Sequence, residues 1–303
     1  DLDQEEVLAE LGFLSRLDHY FEVKPYGLRF QPPGNLAQSN IEGHMQLIRV
    51  RNARLRGTNV GFDQCGFFLA PFSTSMDYAD FQDFLKVKDV YCAEVEEAVK
   101  AGIPAARHTR GTYQIRRRDI NFPTSTGVDF EHAQPANMAH TDFPLADFTP
   151  DIAISMIRTL YGPRADEVIS QGWAIVNAWR PLKHPVQDWP LAVCDSRTFD
   201  AEHDGVATDV VYPDWISEDV LVHYNENQEW WFFPEQRPDE ILIFKSVDSE
   251  KGLNAACPHA AFANPEAPRS APLRESIDCR IIVFFTDAPA LPPEVGKLYG
   301  AKK

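Results

Sequence analysis

Met138-Ala139-His140-Thr141-Asp142-Phe143 is the stretch on which an interpretation of this chain can be built. On a strand, His140 and Asp142 point to the same side because side chains alternate with a period of two, so both could bind one cation. His259, in the late Cys257-Pro258-His259, would complete a set of three ligands. Two His and one carboxylate on one face of a metal leave the opposite positions open, which is typical of non-haem Fe(II) centres.

A second polar pair, Arg274 and Ser276, follows His259 at a distance that lets the next strand return past the metal. The two residues are again two positions apart, so on a strand they share one face. A guanidinium with a hydroxyl beside it can hold a terminal carboxylate bidentately. The pattern predicts the anion clamp that a 2-oxoglutarate co-substrate needs.

Taken together, His-x-Asp, the distal His and Arg-x-Ser resemble the Fe(II)/2-oxoglutarate-dependent oxygenases. Longer sequence words between about residues 110 and 286 resemble, more narrowly, the fungal CmcJ/AsaB-like hydroxylase/desaturase family, which includes gibberellin desaturases. These words are 177–182 (NAWRPL), 185–195 (PVQDWPLAVCD), 244–249 (FKSVDS), 258–262 (PHAAF) and 274–277 (RESI).

The resemblance implies a double-stranded β-helix (jelly-roll) core in which His140, Asp142 and His259 hold Fe(II). It implies 2-oxoglutarate and O2 as co-substrates, release of succinate and CO2, and hydroxylation, desaturation or oxidative cyclisation of an aliphatic C–H position in a small metabolite. Arg274 would bind the C5 carboxylate of the co-substrate, and Ser276 would add a hydrogen bond. Asn177 could also reach the co-substrate, or could be a buried hydrogen-bonding residue of its strand.

Alternation extends the argument along the last strand, where Arg280, Ile282 and Phe284 should also face inward. We expect Ile282 and Phe284 to shape an apolar wall around the substrate, although plain core is an equally good interpretation. Arg280 would offer a charge to a carboxylate, such as that of an amino acid. Arg180 could reach the substrate or the co-substrate.

Other interpretations of the polar residues stay open. The same ligands could serve a zinc-dependent hydrolase that uses metal-bound water, or the triad could be accidental in a non-catalytic jelly-roll binding protein. His132 and Cys257 are rival ligands, which we interpret as a surface or core histidine and as a packing residue. The triplet at 116–118 (RRR) is typical of a solvated strand edge on which Arg117 alone faces differently, with a substrate-anion site as the alternative.

Composition narrows the partners and the compartment. Lys and Arg number 29 against 45 Asp and Glu, a net charge of −16 that disfavours nucleic acid and anionic membrane surfaces, so we expect a small-molecule substrate. Five widely spaced cysteines without a Cys-x-x-Cys pair favour a reducing cytoplasm, and no apolar run approaches the roughly 18 residues that cross a bilayer.

Periodicity predicts a mainly β domain with flanking helices. We expect one oxygenase domain at 1–303, divided into N-terminal strands and a support helix (1–105), the jelly-roll core (106–287) and a tail (288–303). Helices are expected at 1–17, at about 80–101 on the outside of the sheet, and from Pro150 to Gly162. Short segments rich in Val, Ile, Trp and Phe predict a sandwich of antiparallel strands. These segments lie around 45–50, 65–70, 173–179, 190–194, 208–212, 218–224, 229–233, 240–246, 255–262 and 277–286.

Overall fold

The computed structural model describes residues 4–106, 108–124, 129–142, 150–214, 216–250 and 255–285. Phe143 and the predicted tail at 288–303 lie outside the described residues. The strands are β1 (Glu6–Leu14), β2 (Tyr26–Leu28), β3 (Gly43–Asn52), β4 (Phe67–Pro71), β5 (His108–Arg117), β6 (His140–Thr141), β7 (Trp173–Pro181), β8 (Leu191–Cys194), β9 (Gly205–Val211), β10 (Ile216–Val222), β11 (Trp230–Phe232), β12 (Glu240–Asp248), β13 (His259–Ala261) and β14 (Glu275–Phe284). The α-helices are α1 (Phe84–Lys86), α2 (Cys92–Gly102), α3 (Pro150–Tyr161), α4 (Ala165–Ser170) and α5 (Ala201–Asp204).

Two sheets pack against each other and enclose the central core. Among the described residues, nine strands form the first sheet in the order β1-β3-β11-β8-β13-β6-β10-β9-β2, and five form the second in the order β4-β12-β7-β14-β5. Neighbouring strands are antiparallel except β3 with β11 and β2 with β9. Side chains from both sheets, among them Trp179, Val193 and Phe244, meet in one buried cluster. The predicted mainly β architecture with flanking helices is therefore confirmed.

The predicted N-terminal helix is wrong, because this segment is strand β1. Leu8 and Glu10 are exposed, whereas Val7, Ala9 and Leu11 are buried, so the pattern has the period of two that belongs to a strand. All nine residues of β1 pair with β3, from Glu6 opposite Arg51 to Leu14 opposite Gly43. Long-range pairing thus overrides the helical spacing of the leucines and the helix-favouring acids.

Gly12 of β1 lets the nine-stranded sheet curl until its first strand touches the segment that leads into β6. Gly12 accepts a hydrogen bond from the Ala139 N–H (2.8 Å), and its own N–H donates to the carbonyl of Asn137 (3.1 Å). A Cβ at position 12 would lie 2.6 Å from that Asn137 oxygen and 2.9 Å from Met138 Sδ. Only glycine permits this approach, which fixes the backbone directly before His140.

Gly12→Ala is therefore expected to lower the free energy of unfolding by about 1–3 kcal/mol, as extra atoms in a packed site do. Urea unfolding followed by tryptophan fluorescence measures this difference. Gly27→Ala is the matched control, since the nearest atom to its added Cβ is Ile41 Cδ1 at 3.8 Å. Equal urea midpoints for the Gly12 variant and the wild type would contradict the tight-approach interpretation.

Helices cover the five-stranded sheet from both sides. The predicted helix at 80–101 is observed as α1, a π-helical turn at Val87–Tyr91, and α2, and it packs on the outer face of the sheet against Ile243 and Cys279. The helix expected from Pro150 is α3, which with α4 packs on one end of the inner face. Within the described ranges, no helix combines the length and the apolar character needed to cross a bilayer.

Candidate metal centre

The three predicted ligands come together on the inner face of the nine-stranded sheet. His140 begins β6 and His259 begins β13, and the antiparallel register sets these two residues directly opposite each other. Asp142 follows β6 by one position. Its Oδ1 lies 3.9 Å from His140 Nε2 and its Oδ2 lies 3.6 Å from His259 Nε2. One ligand atom from each side chain lies within 4.8 Å of the other two, so the three could hold a single metal ion.

Backbone carbonyls set the tautomer of both imidazoles. His140 Nδ1 lies 2.8 Å from the carbonyl oxygen of Met138, and His259 Nδ1 lies 3.3 Å from that of Cys257. A carbonyl can only accept, so each Nδ1 carries the proton and each Nε2 presents its lone pair to the centre. Burial and the neighbouring His140 ring lower the pKa of His259 to about 3, which keeps this ring neutral near pH 7.

Asp142 is held from the opposite sheet. Arg280 Nη2 donates to Asp142 Oδ1 at 2.6 Å, and Asn177 Nδ2 donates to Asp142 Oδ2. Burial alone would raise the pKa of Asp142. The Arg280 guanidinium, the two imidazoles and the Asn177 amide outweigh burial and hold this pKa far below its usual value, so the carboxylate is ionised.

A cavity beside the triad also contains Arg274. The cavity is small, with a volume of about 30 Å³. Trp179, Leu191 and Phe244 supply apolar walls. The same enclosed space therefore offers a metal-binding triad and a guanidinium.

Arg274 is held rigidly in this cavity. Its guanidinium lies 4.9 Å from the ring centre of Trp179, Nη1 donates to the Trp189 carbonyl (2.9 Å), and Nε donates to Ser276 Oγ (3.2 Å). Ser276 is fully buried and does not itself line the cavity, so its hydroxyl supports Arg274. Burial and the nearby Arg116 guanidinium lower the pKa of Arg274 to about 9, which leaves it charged near pH 7.

The other predicted contacts lie away from this cavity. Arg180 faces the outer side of the five-stranded sheet, where Nε donates to the Tyr91 hydroxyl (2.9 Å) and Nη1 to the Pro238 carbonyl (2.7 Å). Ile282 and Phe284 face inward as alternation predicts, but α3 and α4 cover them. They belong to a hydrophobic cluster and are not among the residues that line the triad's cavity.

Phe284→Ala is consequently expected to act on stability, with a loss of about 3–5 kcal/mol in the free energy of unfolding. Phe284 is fully buried, and its ring packs edge to face on Tyr161 with the ring centroids 5.2 Å apart. Thermal or urea unfolding measures the loss, and Phe21→Ala, at a ring that is 92% exposed, is the control. A Phe284→Ala protein that unfolds like the wild type would contradict the core assignment.

Sequence reasoning did not assign Arg116 and Asp278 to the site, although both line the cavity. The register sets Arg116 opposite Ser276, and Arg116 Nε lies 3.5 Å from Asp278 Oδ1. Asp278 lies midway between Ser276 and Arg280, so alternation along β14 could have identified it. Arg116 belongs to the basic triplet for which an anion site was only the alternative interpretation, and its position opposite Ser276 is set by the register of β5 and β14. The rival ligands lie elsewhere, with His132 on the surface beside Glu131 and Cys257 buried in the core.

Comparisons with known proteins identify the family. The model of the family described as "Oxidoreductase/YMDC permease-like domain" matches residues 11–284. The Fe(II)/2-oxoglutarate-dependent dioxygenase nvfI of Aspergillus novofumigatus is 30% identical over 267 residues, which are 84% of this chain and 89% of that protein. The chain belongs to the Fe(II)/2-oxoglutarate-dependent dioxygenases.

Further relatives of this dioxygenase agree with the assignment. The hydroxylase/desaturase efuI of Hormonema carpetanum is 27% identical over 290 residues, covering 89% of this chain and 94% of that one. A solved structure, a variant of the iron and alpha-ketoglutarate-dependent endoperoxidase NvfI, matches with a TM-score of 0.80 and 26% identity over 93% of this chain and 98% of that chain. The resemblance to fungal hydroxylase/desaturases and the jelly-roll fold are confirmed, and the dioxygenase uses Fe(II), 2-oxoglutarate and O2.

Proposed function

We propose that this dioxygenase hydroxylates, desaturates or oxidatively cyclises an aliphatic C–H position of a small metabolite, such as an amino acid or another carboxylate-bearing specialised metabolite. The observation that carries this proposal is the meeting of His140, Asp142 and His259 in the cavity that also contains Arg274. Relatives named hydroxylase/desaturase and endoperoxidase support oxidation of a small molecule.

The residues of the triad fit an iron ion. Two imidazoles with Nε2 lone pairs facing one ionised carboxylate are the donor set that non-haem Fe(II) oxygenases use. With its two co-substrates, bound Fe(II) supplies the oxidising power to break a C–H bond, while 2-oxoglutarate becomes succinate and CO2. We propose His140, Asp142 and His259 as the three protein ligands.

The residues that line the cavity are those that a diacid would need, with the proposed metal ligands and the buried guanidinium of Arg274 in one lining. Nη1 and Nε of Arg274 are bonded within the protein, and no hydrogen bond from its Nη2 is found among the described residues. We propose that Arg274 binds the C5 carboxylate of 2-oxoglutarate and that Ser276 holds Arg274 in place. Trp179, Leu191 and Phe244 exclude water, which strengthens this charge-assisted contact.

Arg280 borders the metal centre on a more open side. Its side chain is 39% exposed, against 5% for the Asp142 to which it is bonded. We propose that the exposed edge of this guanidinium faces a substrate carboxylate. The buried position of Arg180 on the other face of β7 gives it no part in this proposal.

The wider assignments rest on composition and packing. We propose that 1–303 act as one oxygenase domain, because strands of the 1–105 segment pair with β11 and β12 from the later part of the chain. A net charge of −16 supports a partner that is neither nucleic acid nor an anionic membrane. We propose a cytoplasmic location, which the five free cysteines support.

The test is an anaerobic titration of the protein with Fe(II) and 2-oxoglutarate. The expected result is a weak visible charge-transfer band that needs both additions, with no band when Zn(II) replaces Fe(II). Under air, screens of amino acids and fungal metabolites should then reveal compounds that stimulate succinate release. Absence of both the band and Fe(II)-dependent succinate formation would overturn the proposed function.

A further inference from the structure

Both oxygens of the Asp142 carboxylate accept hydrogen bonds from the five-stranded sheet, although Asp142 itself directly follows β6 of the other sheet. The two donors are Asn177 of β7 and Arg280 of β14, which lie directly opposite each other in the register of these neighbouring strands. Sheet pairing thus sets the amide and the guanidinium side by side, at the width of one carboxylate.

We propose that Asn177 and Arg280 form a carboxylate clamp, a pair of positioning residues that orients Asp142 for the metal. This inference rests on the proposed function, since it assumes that Asp142 is an iron ligand. In this proposal Asn177 orients Asp142, whereas the sequence-based prediction placed it in contact with the co-substrate. For Arg280 it adds a role for the inward Nη2, while the exposed edge still faces the substrate side.

The backbone explains why a clamp is needed. The described pairing of β6 includes His140 and Thr141 and ends there, so Asp142 lies beyond the last paired residue. A carboxylate at the end of a strand can rotate about its Cβ–Cγ bond unless its oxygens are fixed. The clamp fixes both of them.

The clamp also determines the direction in which the carboxylate faces. Oδ1 lies between Arg280 and His140, and Oδ2 lies between Asn177 and His259. Each oxygen therefore has a donor on one side and an imidazole Nε2 on the other. Outer partners that orient a ligand in this way typically contribute about 10–100-fold to metal affinity.

Two buried atoms of the clamp make no hydrogen bond among the described residues, namely Asn177 Oδ1 and Arg280 Nε. Leaving such atoms unpaired costs free energy, so the positions of both side chains need another explanation than general stability. Their bonds to Asp142 provide it, because Asn177 donates to the carboxylate through Nδ2 and Arg280 donates through Nη2.

Charge offers a competing explanation for Arg280 alone. A guanidinium beside a cation site repels the metal, so its removal could strengthen Fe(II) binding if it merely neutralises Asp142. Asn177 carries no charge, and its removal tests orientation without this effect. The two positions together therefore separate orientation from electrostatic repulsion.

The experiment measures the dissociation constant of Fe(II) anaerobically by isothermal titration calorimetry for Asn177→Ala, Arg280→Gln and Arg280→Lys. We expect Asn177→Ala and Arg280→Gln to bind Fe(II) about 10–100-fold more weakly than the wild type. Arg280→Lys should recover part of the affinity, because an ammonium donates to Asp142 but cannot reproduce the planar guanidinium. At saturating Fe(II), the dissociation constant for 2-oxoglutarate should equal that of the wild type in all three variants.

Arg117→Gln is the matched control, since Arg117 pairs with Glu275 at 3.0 Å on the strand next to β14. It should leave Fe(II) binding unchanged. Wild-type affinity in Asn177→Ala, tighter binding in Arg280→Gln, or weaker binding of 2-oxoglutarate alone would each overturn the clamp. If the wild type itself binds no Fe(II), the proposed function fails as well. Far-UV circular dichroism and Arg280→Lys distinguish a lost clamp from a lost fold.

Discussion

Asp142→Ala should abolish iron binding and 2-oxoglutarate turnover together. The change removes the one carboxylate of the triad, and the loss of Fe(II) affinity should exceed the roughly 10–100-fold expected for an outer partner of a ligand. The two imidazoles remain but cannot complete the donor set. Anaerobic Fe(II) titration and Fe(II)-dependent succinate release measure both losses on the same protein.

The control for this variant is Asp166→Ala, which removes a carboxylate that is 88% exposed. It should keep wild-type iron affinity and turnover. Asp142→Ala also leaves Arg280 without its ion-pair partner, which could destabilise the fold. A cooperative thermal transition of the variant must therefore show that it is still folded. An Asp142→Ala protein that remains folded, binds iron and turns over would refute the ligand assignment.

Arg274→Ala should raise the concentration of 2-oxoglutarate needed for half-maximal turnover by at least about 30-fold. Truncating one partner of a buried charge-assisted pair costs about 2–5 kcal/mol, and each 1.4 kcal/mol is a factor of ten. Fe(II) affinity should stay unchanged, because Arg274 bonds to no member of the triad. Succinate release as a function of 2-oxoglutarate concentration gives the first quantity, and anaerobic calorimetry gives the second.

Two further variants make the interpretation of Arg274→Ala specific. Arg269→Ala removes an exposed guanidinium from the preceding loop and should leave the 2-oxoglutarate requirement as it is. Arg274→Lys keeps a charge but loses the bidentate fork and the stacking on Trp179. Its 2-oxoglutarate requirement should therefore lie between those of the wild type and Arg274→Ala. An unchanged 2-oxoglutarate requirement in Arg274→Ala would show that the carboxylate binds elsewhere.

The convergence of His140, Asp142 and His259 was predictable in part because local spacing and strand alternation restrict where side chains point. His140 and Asp142 lie two positions apart, and the same rule applied from Arg274 correctly turned Arg280, Ile282 and Phe284 inward. The rule gives the face of a strand but not what covers that face.

Alternation also excludes one of the predicted contacts. Asn177 and Arg180 are three positions apart on β7, so they face opposite sides of the sheet. The structure accordingly places Asn177 at the triad and Arg180 under the helical layer. A stricter use of strand periodicity would have rejected Arg180 from the sequence alone.

Long-range pairing accounts for what sequence reasoning could not reach. In β1, the leucines at helical spacing concealed an alternating pattern that only the contact with β3 makes decisive. The approach of Arg116 to Asp278 and the bond between Arg280 and Asp142 likewise depend on register between distant segments. No local pattern carries that information.

The division of the centre between two sheets has a consequence for its assembly during synthesis. A chain made only as far as residue 262 already contains His140, Asp142 and His259, but it lacks Arg274 and the strand that follows it, β14, which carries Arg280. Half of the carboxylate clamp and the cation at the end of the cavity are then still missing. Ordered loading of iron and co-substrate must accordingly wait until the last described strand has joined the sandwich.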